Sequence, residues 1–323
     1  MALQYNPLPE DARSTLYPIA RPEIYQMYLD QRQMFWVAGK VPLVGDTLQW
    51  NSLTPGERHM LRELLVLFEG SDVIAAGIFG DSSSYLGPIA DIPEVKVLMH
   101  YQTMMEDIHS EQYSLLTEHY FASPAELAKS RENFGNSAQI AAIMAYLRQH
   151  ITPTDIGANI FIMSLFEGVL FSTAFIIIFT FDEIICLRQA NEYIAKDEGK
   201  HHVTSSLLQK LVLLPSARLS TIQAHDISRE MCKLMCNFFC SIVAADSLRG
   251  ITQDKIQQYI KFKLDDNLVL MGYPVLFNVT NPFPKLEQGW TRASLTAPHE
   301  RHPTGYSTIS DKQMIIDDDA FIL

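Results

Sequence analysis

Apolar residues recur along this chain at three- and four-residue steps, and four of the stripes they form carry acids or histidines at core positions. Leu61, Leu65, Phe68 and Asp72 share one helical face. Leu98, Gln102, Met105, His109, Tyr113 and Leu116 share a second, with Glu106 beside them. Met163, Glu167, Leu170 and Ala174 form a third, and Leu187, Asn191, Ile194, Glu198, His201 and Leu208 a fourth. Nowhere does sustained alternation of period two appear, so the pattern predicts an all-α protein. Helix starts are marked too. Thr54-Pro55-Gly56-Glu57, Ser123-Pro124-Ala125-Glu126 and Thr152-Pro153-Thr154-Asp155 each set a capping residue before a proline, with an acid two residues further on. The stretch from Ile156 to Leu187 is long and apolar enough for a membrane span, but Glu167 near its middle would be costly in lipid. No cluster of Lys and Arg flanks it and no second span accompanies it. The expectation is a helix buried on all sides at the centre of a bundle.

Composition adds limits. With 47% hydrophobic and 19% charged residues, a sequence of 323 residues is able to build a large core and is not that of a disordered protein. A net charge of −12 disfavours nucleic acid or an anionic membrane as partner. Cys232, Cys236 and Cys240 sit four apart on one helical face, poorly placed for a disulfide, and no histidine stands at zinc-type spacing from them. With Cys186 they read as reduced thiols of a cytoplasmic protein, and the polar, acidic opening residues do not resemble a signal peptide. After Pro282 the periodicity gives way to breakers and an acidic end. The expected organisation is an arm over 1–20, a helical domain over 21–283 and a mobile tail over 284–323.

The inward acids follow an order. Asp72 precedes the pair Glu106-x-x-His109 by 34 residues, and Glu167 precedes Glu198-x-x-His201 by 31. Each half of the sequence thus gives a lone acid and then a Glu and a His on one helical face. Unpaired ionised acids in a core would each cost roughly several kcal/mol, a cost that two metal cations remove. A single Glu-x-x-His is weak, because surface ion pairs produce it often. Two of them, each preceded by an inward acid, match the four-carboxylate, two-histidine set of ferritin-like di-iron and di-manganese bundles.

The neighbours of these residues narrow the choice. "EDIHSEQYSLL" around the first pair, "FEGVLFSTAF" around Glu167 and "IAKDEGKHH" around the second resemble the small subunits of class I ribonucleotide reductases. The resemblance runs from about Ile24 to Phe283. It implies a ferritin-like helical bundle in which Asp72, Glu106 and His109 bind one iron and Glu167, Glu198 and His201 the other, with Glu106 and Glu198 bridging. It further implies that the di-iron centre activates dioxygen and that Tyr113, one turn after His109, becomes a tyrosyl radical. Phe171, Phe175 and Ile194 match the apolar residues around that tyrosine, and such a dry pocket suits a radical that water and reductants must not reach. Trp36 matches the tryptophan that starts radical transfer, Asp197 the acid linking that indole to His109, and Tyr306 a relay tyrosine in the tail. By residue type alone, Tyr113 would be core packing and Trp36 a half-buried aromatic near a helix end. The resemblance also implies a homodimer that uses an electron donor and docks its C-terminus, Asp317 to Leu323, on a large subunit that holds the substrate site.

Several positions depart from the family pattern. Val73 replaces a glycine after the first acid, Lys196 an arginine before Asp197, and Gly39-Lys40-Val41-Pro42 an acidic segment after Trp36. The element Asn-Phe-Phe-Glu before the tail is missing, and such changes would suit a viral or otherwise divergent member. Two rival readings share the bundle: a reductase-like oxidase that binds a fatty acid at a manganese–iron pair, and a ferritin-like iron store. The first would not keep the tyrosine relay or the tail, and the second is shorter and has no reason to shield a tyrosine. Iron, manganese and a mixed pair all suit these oxygen and imidazole donors.

Overall fold

The stripe that ends at Asp72 lies on a helix that starts where its cap predicts. Thr54 N–H donates to Glu57 Oε2 (2.8 Å) and Glu57 N–H returns a bond to Thr54 Oγ1 (3.2 Å), closing a capping box ahead of Pro55. The computed structural model describes residues 4–80, 85–243 and 249–286, and within 72–80 the helical backbone without the side chains. The helices are α1 (Pro22–Arg32), α2 (Thr47–Ser52), α3 (Pro55–Gly80), α4 (Pro93–Tyr120), α5 (Pro124–Gly135), α6 (Ala138–His150), α7 (Ile156–Ile178), α8 (Ile185–Leu211), α9 (Thr221–Ile242) and α10 (Gln253–Met271). Among the described residues there is no strand, only an isolated bridge between Tyr5 and Leu213.

Helices α3, α4, α7 and α8 form the centre. The most extensive pairing runs along α3 and α4, while α8 packs against α7, and α1 crosses both α4 and α8. All six residues of the second stripe and all of the third and fourth named above are buried, as are Leu61, Leu65 and Phe68 of the first. At about 25 cal/mol per Å² of apolar area, each fully buried Leu or Phe of these stripes contributes roughly 1.5–3 kcal/mol, so the polar residues among them are held in place by their neighbours.

Two predicted boundaries moved. The start expected at Thr152-Pro153 falls three residues later, where the Asp155 carboxylate caps α7 by accepting the Ala158 N–H (3.0 Å). Asn159 takes Thr152 out of the helix by bonding both its N–H (2.9 Å) and its C=O (2.6 Å), which leaves Pro153 in a turn. The apolar stretch also breaks between Ile178 and Ile185. There Asp46, buried under Tyr120, accepts N–H groups from Cys186 (2.7 Å) and Leu187 (2.9 Å) and so fixes the first turn of α8. Helix α7 is long and apolar enough to cross a membrane, yet it lies wholly inside the protein.

The N-terminal arm is strapped to the start of α4. Glu94, fully buried, pairs with Arg13 and accepts the Ala20 and Arg21 N–H groups, while Arg21 pairs with buried Asp11. All four cysteines are free thiols, with Cys232 Sγ 3.9 Å from Cys236 Sγ on α9.

Candidate metal centre

Helix α4 contributes Glu106 and His109, α7 contributes Glu167, and α8 contributes Glu198 and His201; all five are at most 2% exposed. One donor atom each from Glu106, Glu167, Glu198 and His201 lies within 4.8 Å of the others. His109 Nδ1 stands 2.9 Å from Glu198 Oε1, and His201 Nδ1 stands 2.8 Å from Glu106 Oε1 and 3.8 Å from Glu167 Oε2. The imidazole of each half therefore meets the Glu of the other half's Glu-x-x-His pair. Asp72 lies on α3, whose backbone runs beside α4, but its side chain is outside the described residues.

These contacts are ion-pair distances without hydrogen-bond geometry. Both carboxylate oxygens of Glu106, Glu167 and Glu198 are buried and accept no hydrogen bond. Their lone pairs and the Nδ1 atoms converge on a common space instead of on one another's protons. Three buried acids so arranged repel each other, and divalent cations remove the repulsion while using every orphaned oxygen. Hard oxygen and imidazole donors suit iron or manganese. The residues present fit such ions.

The electrostatics of the metal-free cluster make a testable statement. Burial, followed by the charges of Glu198 and Glu106, pushes the Glu167 carboxyl well above its ordinary range. Burial alone would lower His109 and His201, but carboxylates (Asp197, Glu106 and Glu198 for the first, Glu106 first for the second) outweigh it and raise both. Glu198 moves the other way: although burial opposes it, Glu167, His109 and His201 hold its carboxylate below the usual range. Glu198 thus stabilises the fold above its unfolded value near 4.5, a contribution already complete at pH 6.5. His109 and His201 stabilise it below 6.5 and lose that contribution as pH rises through their raised values; Glu167 acts in the same sense. Protein stripped by a chelator is expected to melt at progressively lower temperature from pH 6.5 to 9, while the stabilisation gained on adding metal grows because binding releases these protons. Thermal melts with and without metal would check this, and a metal-free Tm that rises over that range would contradict it.

Glu167 occupies a special stretch of α7. Residues Phe166–Leu170 form a π turn, in which Phe171 N–H donates to Phe166 C=O. Such turns insert one extra residue into an α-helix and recur at functional sites.

Tyr113 lies one turn beyond His109 and is fully buried. Its hydroxyl donates to Asn191 Oδ1 (2.8 Å), and Asn191 is oriented by its own bond to Leu187 C=O (2.9 Å). The phenol ring lies flat on Phe68, with centroids 4.7 Å apart and planes 1° from parallel. Phe171 and Phe175 close on Phe68 at 5.5 Å and 4.8 Å. Ile194 is buried one turn after Asn191.

From the Nε2 side of His109 a polar chain leads away from the cluster carboxylates. His109 Nε2–H donates to Asp197 Oδ2 (3.0 Å), and the same oxygen accepts the Trp36 indole N–H (2.7 Å). Trp36, 4% exposed, stacks between His109 (5.8 Å) and Tyr193 (5.6 Å). A carboxylate behind a metal-directed imidazole fixes its tautomer, which leaves Nδ1 free to face the cluster.

The family model for the small chain of ribonucleotide reductase matches residues 13–282. The protein belongs to that family. It is 29% identical over 279 residues to the ribonucleoside-diphosphate reductase small chain of Nicotiana tabacum, over 85% of its own length and 83% of the relative's. In fold it is similar to the ribonucleotide reductase Rnr4 homodimer from Saccharomyces cerevisiae, with a TM-score of 0.72 at 23% identity over 86% and 90% of the two proteins. It is also similar to dimanganese(II)-NrdF of Streptococcus sanguinis, with a TM-score of 0.72 at 14% identity over 83% and 94%. The ferritin-like bundle expected from the ligand spacing is therefore the observed fold.

Against that family background, the departures near Trp36 have a physical setting. Lys40 and Lys196 place their ammonium groups 5.0 Å and 5.9 Å from the centroid of Tyr193, whose ring covers the outer face of Trp36. Gly39, at φ +74°, turns the backbone after Trp36 and donates its N–H to Gln112. Tyr306 and Asp317 to Leu323, which the sequence reading assigns to a relay and a docking tail, lie outside the described residues. Pattern reading placed Asn191 and Phe68 on the apolar stripes but did not assign them to Tyr113. An amide inside an otherwise apolar stripe was the available signal for Asn191, because a buried amide has to bond something.

Proposed function

We propose that this protein is the radical-generating small subunit of a class I ribonucleotide reductase. The observation that carries the reading is the convergence of Glu106, Glu167, Glu198 and His201 beside a dry, buried Tyr113 one helical turn from His109. Asp72, Glu106 and His109 would hold one metal ion and Glu167, Glu198 and His201 the other, with Glu106 and Glu198 between the two. When bound, the metal pair supplies oxidising equivalents drawn from dioxygen, with electrons from a donor.

The protein's own residues do the rest. Tyr113 yields one electron and its phenolic proton, and Asn191 Oδ1 holds the O–H in a fixed direction until it does. Phe68, Phe171, Phe175 and Ile194 exclude the water and reductants that would quench the product. Transfer outward uses His109, Asp197 and Trp36. Because Asp197 Oδ2 accepts from both rings, loss of an electron by Trp36 can be matched by a proton shift within its 2.7 Å hydrogen bond. Tyr306 would then relay across the interface as the 284–323 tail docks on a large subunit that holds the nucleotide site. The active form is a homodimer of 21–283 bundles, each preceded by the 1–20 arm. Two irons per protomer are the first choice; manganese or a mixed pair fits the same donors.

The reading is tested by mixing the protein with a class I large subunit after loading it separately with iron and with manganese. Deoxyribonucleotide should form only when both proteins, metal and oxygen exposure are combined. Failure with both metals and a competent large subunit would contradict the assignment.

A further inference from the structure

The π turn that carries Glu167 is gripped by a group of side chains that includes none of the metal-site residues. We propose that His202 and Asn267 form a clamp that holds this π turn and so sets the position of the Glu167 carboxylate, an inference that rests on the metal-centre reading. Glu106 and Glu198 sit on regular α-helix, whereas Glu167 is the second residue of Phe166–Leu170. Collapse of the extra residue would turn the helix on one side of the bulge against the other by about 100°. The aim of Glu167 thus depends on whatever keeps the bulge open.

Three observations identify the clamp. First, the residue after Glu167 is Gly168, and a methyl group there would lie 2.5 Å from His202 Cε1 and Nε2 and 2.6 Å from Cδ2. The imidazole edge is pressed directly on the backbone of the bulge, an approach only glycine permits. Second, His202 Nε2–H donates to Asn267 Oδ1 (2.7 Å), which fixes the ring from α10. Third, the same oxygen lies 2.8 Å from Ser164 Oγ, two residues ahead of the bulge on α7, where it shares the hydroxyl proton with Phe161 C=O (2.9 Å). Asn267 is fully buried and its amide nitrogen makes no hydrogen bond, so its polar role runs through that one oxygen. One atom on α10 therefore holds the helix before the bulge directly and the bulge itself through His202. His202 also follows His201 on α8, so the clamp links the α7 and α8 sides of the centre. Both clamp residues are positioning residues.

The test uses the full-length protein, stripped of metal and kept free of oxygen, with Mn(II) alone as the probe. Hydrogen exchange over Phe166–Leu170 reads the clamp, and electron paramagnetic resonance of unbound Mn(II) counts the ions taken up. Asn267→Leu and His202→Ala should speed exchange in this segment about tenfold or more and leave that around Glu106 unchanged. They should also weaken one of the two Mn(II) sites by about ten- to a hundredfold. His202→Gln, which keeps an N–H donor for Asn267, should stay within a few-fold of the parent in both readouts. Unaltered exchange and unaltered Mn(II) affinity in Asn267→Leu, with only a lower Tm, would overturn the clamp. Faster exchange in a protein whose parent form binds no Mn(II) pair would instead overturn the metal-centre reading and leave the clamp on the π turn standing.

Discussion

Tyr113→Phe should give a folded protein that binds metal normally, forms no tyrosyl radical and reduces no nucleotide. The substitution removes one oxygen and keeps the ring, so the parallel stack on Phe68 and the contacts of Phe171 and Phe175 survive. Among the described residues, the bond lost is the one to the buried acceptor Asn191 Oδ1. An interaction of this kind is worth about 1 kcal/mol, so Tm should fall by only a few degrees. Metal uptake should persist, because the cluster of Glu106, Glu167, Glu198 and His201 keeps all its donor atoms. Activity, in contrast, should drop to background, since a phenyl ring has no proton to release with the electron. Turnover of Tyr113→Phe at the parent rate would remove this residue from the mechanism.

Asp197 and Trp36 give a second large effect that divides in an informative way. Asp197 Oδ2 is the shared acceptor for the Trp36 indole and the His109 imidazole. In Asp197→Asn the shape is kept, but the charge behind His109 is gone and the imidazole becomes a poorer donor to a metal. Loss of such a partner costs roughly ten- to a hundredfold in metal affinity. Trp36→Phe leaves the Asp197–His109 bond in place, so metal affinity and the Tyr113 radical should persist. Both variants should lose nucleotide reduction with the large subunit, because each breaks the hydrogen-bonded route between the centre and the surface. Measuring Mn(II) affinity, radical yield and turnover on the same preparations separates the two. If Trp36→Phe kept full turnover, the route would lie elsewhere.

The buried cluster was legible because period and chemistry disagreed there: Glu106, Glu167, Glu198 and His201 stand on or beside largely apolar stripes, and the structure brings them together. The four-helix arrangement followed from the same stripes, since each apolar face had to be covered. The π turn at Glu167 was not legible. Its stability depends on Asn267, about a hundred residues away, and on ring packing against Gly168, which no local pattern encodes. The start of α7 was misplaced for a related reason. Thr152-Pro153 is a good local start, but Asn159 reaches back and captures Thr152. Asp46 escaped notice because its task, capping α8 beneath Tyr120, joins segments about 140 residues apart. Trp36 and Asp197 were named through family resemblance. Nothing in the spacing of residues 36, 109 and 197 announces that one carboxylate oxygen serves both rings.

The most direct test of the central claim is electron paramagnetic resonance on the purified protein, loaded with ferrous iron and then exposed to oxygen. A tyrosyl-type signal that disappears with hydroxyurea and is absent from Tyr113→Phe is the expected result. A signal only after manganese loading would change the metal and keep the account. No radical with either metal, in protein shown to hold two ions per protomer, would contradict it and favour an oxidase or storage role for the same bundle.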